Sequence, residues 1–527
     1  MILTSESESV KVRLDLNRDT TGKICMATCW IRIDVGAGWL RTFSTYISLW
    51  ADEGTNAARC GLFTTAPPLG SDSAAQAARL YSTWLETCRS EHETCKRTVC
   101  GDQVDEKDGP ELPTRVLDLG HPTAQNLVLL ESKGLRGEYC ALSYCWGPPN
   151  TQTFLTTKET LQDRLRDIRL DDLPRTFQDA VQVTRGLGMR YHWIDGLCII
   201  QGDKQDWATE AERMGAVYEN ASLVIAASGS ATTQQGCFVT GTRDLCSINL
   251  PYYTQNGHSE GYVHACAHIP GENWFPGDGP LQNRGWALQE AYFARRAIHF
   301  MPGGPSWRCR KLDLTERNSC RKLGFKDAWE YVVEDYSKRR LTYKSDRIMA
   351  IQRYATEFQR KTGDIYNLGV FLSRLPGQLL WINGEPSDGE DLAGDLLELP
   401  SWTWASKGGP KRFLADRISK CVSPMAPVIA HDKFRIDDSG ALFAEGCTIL
   451  CHTSGAPARQ DALDTQVDPI KNMFDLVWSC AYPTSFYLME QSDCLHPRLR
   501  GVAYFDEDYQ GTVYSFPLMT AVGRNYS

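Results

Sequence analysis

The segment from Tyr139 to Ala227 alternates short apolar runs with polar corners and amphipathic stretches, and this alternation restricts the possible folds more than any other feature. The runs at 139–144, 190–194 and 223–227 have the length and composition of strands. The residues between them place apolar side chains at helical spacing. Because strands separated by helices usually pair in parallel, we expect an α/β domain with a short parallel sheet flanked by helices.

The length of 527 residues exceeds what one hydrophobic core organises, so more than one domain is predicted. Shifts to charged and to Gly/Pro-rich composition lie at 101–113 and 301–307. We therefore predict a mixed, β-rich N-terminal region at 1–110, the α/β domain at 111–305 and an α+β C-terminal region at 306–527.

The two outer regions contain periodic segments of their own. Strand-like alternation covers Lys11–Leu16 and Trp30–Asp34, and a helical pattern covers Ser73–Arg97. In the C-terminal region, helical patterns cover Trp329–Phe358 and Leu368–Leu375 and are followed by strand-like runs. These patterns predict mixed structure on both sides of the α/β domain.

Composition excludes several classes of partner. The net charge is −9, and no Lys/Arg-rich run is interleaved with stacking aromatics, so nucleic acid is not a predicted partner. No segment is long and apolar enough to predict a membrane span. The first residues lack the basic and apolar regions of a secretion signal, and nineteen cysteines then indicate reduced thiols. We expect a cytoplasmic protein.

One carboxylate falls among the apolar side chains of a predicted helix. In the helix that Asp206 is predicted to cap, Glu210 lies on the apolar face at about 100° per residue. Burying an unpaired ionised carboxylate is unfavourable, so Glu210 requires a cationic partner, a raised pKa or a cleft. The alternative to a catalytic role is an ion pair with Arg185 or Arg190.

Five long motifs follow one another in this part of the chain. They are Leu142-Ser143-Tyr144-x-Trp146-Gly147, Leu173-Pro174-x-Thr176-x-x-Asp179-Ala180, Arg190-Tyr191-x-Trp193-Ile194-Asp195-x-Leu197-Cys198-Ile199-Ile200-Gln201, Asp206-Trp207-x-x-Glu210 and Met214-x-x-Val217-Tyr218-x-x-Ala221. Together they resemble the HET domain, the heterokaryon incompatibility domain of filamentous fungi. Further along, Arg284-Gly285-Trp286-x-Leu288-Gln289-Glu290 resembles the flanking pattern of large HET proteins.

The resemblance implies a role in fungal non-self recognition, in which HET proteins trigger growth arrest and programmed cell death when incompatible cells fuse. The HET fold is also distantly similar to TIR domains, several of which cleave NAD with a glutamate. This analogy of fold assigns NAD hydrolysis to Glu210. Gly202 departs from the family pattern, which commonly has an acidic residue after Gln201, although the adjacent Asp203 can substitute.

The resemblance leaves two other functions open: a non-catalytic, self-assembling signalling module, and a small-molecule-modifying enzyme of a fungal biosynthetic pathway. We predict no tightly bound cofactor, and NAD is the predicted substrate of a catalytic domain. The predicted partners are a second copy of the chain, an incompatibility partner protein or a small molecule.

Cleavage of a glycosidic bond needs a carboxylate that stabilises an oxocarbenium-like centre or orients water. Glu210 is the first catalytic candidate, followed by Asp195 at a strand end and Asp179 on the preceding helix. As alternatives, Asp179 can pair with an arginine and Asp195 can bind loop amides. Glu290 is a further candidate, unless it only forms a buried ion pair with a nearby arginine.

Ser143, Tyr144 and Trp146 are the predicted binding residues. They lie where the first strand ends, and an aromatic ring there could stack on a base or a nicotinamide ring. Ordinary core packing of Trp146 is the alternative.

Two sets of cysteine and histidine residues have side chains that could form a nucleophilic site or a metal site. Cys198 could be a nucleophile with His192 as its base, but nothing fixes the two on a common face, so we expect a buried structural thiol. Cys88, His92 and Cys95 are spaced like metal ligands on one helical face. A continuous helix separates Cys88 from Cys95 by about 10 Å and zinc binds sulfur at about 2.3 Å, so no metal site is predicted from these three alone. Two of them with remote ligands stay an alternative.

Overall fold

The structure is a computed structural model. It describes residues 9–18, 23–35, 39–63, 74–99, 101–104, 108–148, 154–238, 247–253, 257–267, 277, 279–302, 304–315, 320–321, 329–341, 343–375, 377–379, 381–383, 399–400, 402–413, 434–436, 442–444, 449–453, 485–490, 499–504 and 512–515.

The chain forms two compact units, Met1–Phe325 and Lys326–Ser527. The three-region division predicted from the sequence, with boundaries at 110 and 305, stays a prediction. Within the described residues, no helix combines the length and apolar character that crossing a bilayer requires.

The first unit contains both strands and helices. Its strands are β1 (Ser9–Arg18), β2 (Ile24–Val35), β3 (Trp39–Trp50), β4 (Arg115–Asp118), β5 (Asn126–Glu131), β6 (Tyr139–Ser143), β7 (Ile168–Arg169), β8 (Tyr191–Trp193), β9 (Leu223–Ala226), β10 (Ser247–Tyr253), β11 (Ser259–Ala267), β12 (Arg296–Met301), β13 (Gly304–Cys309), β14 (Asp313–Thr315) and β15 (Cys320–Arg321). Its helices are α1 (Asn56–Arg59), α2 (Ala74–Glu91), α3 (Leu161–Arg166), α4 (Arg175–Gly186), α5 (Asp195–Cys198), α6 (Lys204–Asn220) and α7 (Ala287–Phe293).

A ten-stranded sheet forms the centre of this unit, in the order β15-β14-β13-β12-β9-β6-β8-β4-β5-β7. The four middle strands β12, β9, β6 and β8 are parallel to one another. The strands on both sides pair antiparallel. The predicted parallel sheet is therefore confirmed for the middle and wrong for the flanks. Short connections such as that between β12 and β13 permit antiparallel pairing without a crossover.

The order of the parallel strands is that of a doubly wound fold. Numbered along the chain, β6, β8, β9 and β12 are arranged 2-1-3-4, and the direction of winding changes at β6. Right-handed crossovers place α4 on one face of the sheet and α6 and α7 on the other. In agreement, α4 packs on β6 and β8, and α6 packs against α7. The change of direction between β6 and β9 is where this type of sheet binds ligands.

The helix before the HET-like segment belongs to the same core. Trp84 of α2 packs on Trp307 with ring centroids 6.2 Å apart, and Tyr81 meets Phe300 edge-on at 5.7 Å. Trp84 is only 4% exposed. Helix α2 therefore covers strands β12 and β13 of the central sheet.

The strand-like runs in the N-terminal region are confirmed as parts of β1 and β2. These strands belong to a separate antiparallel sheet of order β1-β2-β3-β11-β10. Its small core contains Ile24, Leu49 and Val263. Because β10 and β11 lie between β9 and β12 along the chain, this sheet combines strands that precede the parallel strands with two strands inserted before the last of them.

Within its described residues, the second unit contains helices and antiparallel strand pairs. Its elements are α8 (Trp329–Tyr336), α9 (Met349–Thr362), β16 (Tyr366–Asn367), β17 (Val370–Phe371), β18 (Trp381–Asn383), β19 (Lys411–Phe413), β20 (Phe434–Ile436), β21 (Leu442–Ala444), β22 (Ile449–Thr453), β23 (Ser485–Glu490), β24 (Leu499–Tyr504) and β25 (Thr512–Ser515). The predicted helix at Leu368–Leu375 is wrong, because this segment forms β17 and a 3-10 turn at Leu372–Arg374. Trp329 of α8 packs edge-on against Phe371 at 5.1 Å, which holds the strand in the core of this unit.

Replacing Trp84 with alanine tests whether α2 is part of the central core. Removing a buried tryptophan leaves a cavity, so we expect Trp84→Ala to lower the free energy of unfolding by about 3–5 kcal/mol. The measurement is urea denaturation of the full chain followed by tyrosine and tryptophan fluorescence. Leu135→Ala, at a position that is 50% exposed, is the control and should change stability by about 0.5 kcal/mol or less. Equal midpoints for the two variants would contradict the packing.

Candidate functional site

Polar side chains converge at the carboxyl edge of the parallel strands, where the winding changes direction. Ser143 is the last residue of β6 and is paired with Ala226, the last residue of β9. The N–H of Ala227 donates to the Ser143 carbonyl at 2.9 Å and holds these two strand ends together. Asp195 follows β8 and begins α5. We call the group formed by Ser143, Tyr144, Trp146, Asp195, Tyr218, Arg284 and Glu290 the switch-point cluster.

Asp195 is held from several sides. Its Oδ2 accepts a hydrogen bond from Nε1 of Trp146 at 2.8 Å, and its Oδ1 accepts from the N–H of Gly196 at 2.6 Å. Nη2 of Arg284 lies 3.8 Å from Oδ2. Asp195 is 6% exposed, so its position is fixed by these donors.

Glu290 reaches the same edge from α7. Its carboxylate accepts a hydrogen bond from Ser143 Oγ, and Nη1 of Arg284 lies 3.7 Å from Oε1. Glu290 is 1% exposed. Burial raises the pKa of Glu290, while the charge of Arg284 and the hydrogen bond from Ser143 oppose the rise. A carboxyl group with a raised pKa is suited to exchange protons near neutral pH.

Arg284 lies between the two carboxylates. Burial lowers its pKa, but the charges of Glu290 and Asp195 outweigh this effect, so the pKa of Arg284 is raised. Its Nη1 also donates to the carbonyl oxygen of Tyr144, and its side chain keeps 22% exposure. The guanidinium thus joins the end of β6 to both acidic side chains.

Two aromatic rings form one wall of the cluster. The rings of Tyr144 and Trp146 are nearly parallel, with an interplanar angle of 7° and centroids 6.4 Å apart. Phe177 of α4 supports Tyr144 edge-on at 5.1 Å. Burial, followed by the charge of Asp195, raises the pKa of Tyr144, so its hydroxyl stays a hydrogen-bond donor. Tyr144 is 1% exposed, so the half-buried ring of Trp146 is the part of this wall that is suited to contact a flat heterocycle.

The three predicted binding residues and Asp195 thus come together, whereas within the described residues neither Glu210 nor Asp179 forms a hydrogen bond or an ion pair with them. Glu210 is 2% exposed, as the helical pattern predicts, but it lies near Cys198, whose pKa its charge helps to raise. Within the described residues, neither Arg185 nor Arg190 pairs with it: Arg190 pairs with Asp118 at 2.7 Å, and Arg185 donates to the Leu119 carbonyl at 2.6 Å.

Asp179 forms an ion pair with an arginine, which was the structural alternative to a catalytic role. It pairs with Arg175 at 2.9 Å and accepts from the N–H of Cys237 at 2.8 Å. Gly236, at φ +83°, permits this approach, because a Cβ there would lie 2.5 Å from Oδ2 of Asp179. Asp179 thus anchors the loop at residues 236–238 to α4.

The helix cap predicted for Asp206 is wrong, because Asp203 caps α6. The side chain of Asp203 accepts a hydrogen bond from the N–H of Gln205 at 3.0 Å and thereby forms the N-cap. Asp206 instead pairs with Arg115 of β4 at 2.5 Å. The buried Arg115 makes this ion pair more favourable for Asp206 than capping.

The Cys198 and His192 pair does not form a nucleophilic site. Burial raises the pKa of Cys198 to about 12 and lowers that of His192 to about 3. His192 Nδ1 instead contacts Thr184 Oγ1 at 2.7 Å. The expectation of a buried, structural thiol agrees with this environment.

Arg284 and Tyr218 are cluster residues that the sequence did not single out as functional. Tyr218 lies on the apolar stripe of α6, yet its hydroxyl bonds to the Leu142 carbonyl at 2.9 Å. Arg284 begins the same motif that ends at Glu290, and this shared motif is the sequence feature that could have indicated its role. Their partners are Leu142 of β6 and Tyr144, the residue after β6. Both partners are more than 70 residues away along the chain, so local patterns could not pair them.

The cluster lies within one family match. Residues 139–290, from the start of β6 to Glu290, match the family model for the Heterokaryon incompatibility protein (HET). This match assigns residues 139–290 to the HET domain. Every residue of the switch-point cluster is inside the matched range, and the domain indicates a function related to heterokaryon incompatibility. No curated protein and no solved structure matches the chain.

The raised pKa of Glu290 predicts a pH dependence of stability. A carboxyl group whose pKa is higher in the folded than in the unfolded state binds its proton more tightly when folded. Its contribution to stability is therefore lost as pH rises from its ordinary value of 4.5 through the folded pKa. Glu290→Gln removes this contribution, so we expect wild type to lose stability relative to the variant as pH rises.

Urea denaturation of both proteins across this pH range measures the difference. Glu212→Gln, on the exposed face of α6, is the control and should follow wild type at each pH. A difference between wild type and Glu290→Gln that does not change with pH would contradict the buried environment of Glu290.

Proposed function

We propose that the chain is an effector of heterokaryon incompatibility that promotes cell death, and that its HET domain hydrolyses NAD at the switch-point cluster. The observation that carries the proposal is the pair of buried carboxylates, Asp195 and Glu290, joined by Arg284 at the carboxyl edge of a doubly wound sheet. This edge is the usual ligand site of such sheets.

The reaction breaks the bond between C1′ of the ribose and the ring nitrogen of nicotinamide, and the bonding electron pair leaves with nicotinamide. The developing positive charge at C1′ requires a nearby carboxylate, a role that we assign to Asp195. A water molecule then attacks C1′ and loses a proton. Glu290 is assigned as the base that takes this proton, because its raised pKa brings it closer to neutral pH.

The aromatic wall supports a flat leaving group. Tyr144 and Trp146 are nearly parallel, and Trp146 is tied to Asp195 by the 2.8 Å hydrogen bond. A nicotinamide ring stacked on the half-buried ring of Trp146 would bring the attached ribose of NAD toward Asp195 and Glu290. Ser143, which donates to Glu290, fixes the orientation of the proposed base.

Incubation of the purified full chain with NAD, with nicotinamide and ADP-ribose separated by chromatography, tests the proposal. Because Glu290→Gln is nearly isosteric, we expect it to reduce turnover by about 100-fold or more through loss of the base. Glu210→Gln is the matched variant, with a second buried glutamate of the same domain, and is expected to keep most of the turnover. Loss of turnover in Glu210→Gln alone would move the chemistry to α6, as the TIR analogy has it.

The assay includes high protein concentration and a fusion to a dimerising domain, because a second copy of the chain is one of the predicted partners. Absence of turnover under all of these conditions would contradict NAD hydrolysis. It would leave the HET domain with a non-catalytic role or a different small-molecule substrate.

The second candidate function is a self-assembling, non-catalytic module, and the edges of the N-terminal sheet favour it. Leu14 and Leu16 on edge strand β1 are each 55% exposed, and Ile248 on the opposite edge strand β10 is 56% exposed. Exposed apolar residues on unpaired strand edges favour pairing with another copy of the chain.

Cell-death assays separate the two functions. If assembly is sufficient, Glu290→Gln should still kill cells, while Leu14→Lys combined with Ile248→Lys should abolish both killing and oligomers seen by light scattering. If NAD hydrolysis is required, Glu290→Gln should abolish killing without changing the oligomeric state.

A further inference from the structure

Four buried residues with metal-binding side chains meet at the end of α2. The ligand atoms of Cys88, His92, Cys95 and Cys309 all lie within 4.8 Å of one another. None of the four side chains exceeds 5% exposure. Cys88 is in the last turn of α2, His92 and Cys95 follow it, and Cys309 ends β13. No residue of this group takes part in the switch-point cluster.

The expectation that Cys88 and Cys95 are too far apart is wrong because the helix does not continue. Helix α2 ends at Glu91, and His92 has φ −107° and ψ 86°, which is not helical. Cys95 then lies on a 3-10 helix, Glu93–Lys96, and its N–H donates to the His92 carbonyl at 2.9 Å. This turn folds the chain back and brings Cys95 beside Cys88.

The spacing fits a tetrahedral metal ion. Zinc binds sulfur at about 2.3 Å and histidine nitrogen at about 2.0 Å, so neighbouring ligand atoms are about 3.5–3.8 Å apart. Nδ1 of His92 lies 3.4 Å from Sγ of Cys309. All four ligand atoms already lie within 4.8 Å of one another, so binding one ion requires only small movements of the side chains.

A buried guanidinium lies beside the sulfur atoms of this group. Nε of Arg296, a fully buried residue, donates to Sγ of Cys88 at 3.3 Å. Arg296 is directly opposite Cys309 in the pairing of β12 with β13. A hydrogen bond to sulfur is a typical support of a metal-bound thiolate.

We propose that Cys88, His92, Cys95 and Cys309 bind one zinc ion in a closed structural site. On binding, the three thiols release three protons to solvent, and three Zn–S bonds and one Zn–N bond form without electron transfer. Three thiolates and a neutral histidine give the zinc complex a net charge of −1, which faces the Arg296 guanidinium. Sulfur ligands select zinc over the oxygen-preferring ions magnesium and calcium.

The site connects elements on both sides of the HET match. It joins α2, which precedes residues 139–290, to β13, which follows them. With four protein ligands it has no open position for a substrate, so its role is to fix α2 on the central sheet. This assignment is independent of NAD hydrolysis.

Metal analysis of the purified full chain by mass spectrometry tests the site. We expect about one zinc ion per chain. Cys309→Ser and His92→Gln should both lose it. Cys140→Ala, which removes a buried thiol elsewhere in the same unit, is the matched control and should retain it.

Cobalt substitution in the wild-type chain tests the site without depending on how the variants fold. We expect the intense visible absorption of tetrahedral cobalt together with a thiolate charge-transfer band, and three additional reactive thiols after removal of the metal. Wild-type protein without zinc or a tetrahedral cobalt spectrum would overturn the proposal, as would zinc retained in both ligand variants. A disulfide between two of Cys88, Cys95 and Cys309 in protein alkylated at lysis would overturn it as well.

Discussion

The architecture of the candidate site depends on one interaction, the contact of Arg284 with two buried carboxylates. At a separation near 4 Å, each such contact is worth about 4 kcal/mol before desolvation costs, at an effective dielectric constant of about 20. Without the guanidinium, the buried side chains of Asp195 and Glu290 would lose the cation that lies within 4 Å of both of them. The arginine therefore makes it possible for three segments that are distant in sequence to end at one place.

The fold positions this contact through the order of its parallel strands. The change of direction at β6 leaves the ends of β6, β8 and β9 next to one another, and α7 adds Glu290 from the side. Large apolar side chains below this edge, such as Trp193 and Phe177, are fully buried and hold the strands in register. The α2 helix and the proposed zinc ligands support the same sheet from outside the HET match.

The sequence predicts the elements of the HET domain better than their neighbours in space. Strands β6, β8 and β9 and helices α4 and α6 follow from local periodicity and from the glycine and proline residues at their ends. Burial of Glu210 also follows from helical spacing, but spacing cannot say what a buried side chain faces. Glu290 meets Ser143 across 147 positions, and Cys309 is more than 200 positions from His92. The break at His92 is likewise invisible to a pattern of ligands on one helical face.

A double-mutant cycle on Arg284 and Glu290 tests the central claim most directly. The stabilities of wild type, Arg284→Met, Glu290→Gln and the double variant are compared at neutral pH by urea denaturation. If the guanidinium compensates the buried carboxylate, the double variant should be more stable than the sum of the single effects predicts, with a coupling energy of about 1–3 kcal/mol. Single effects that add to within about 0.5 kcal/mol would contradict the account.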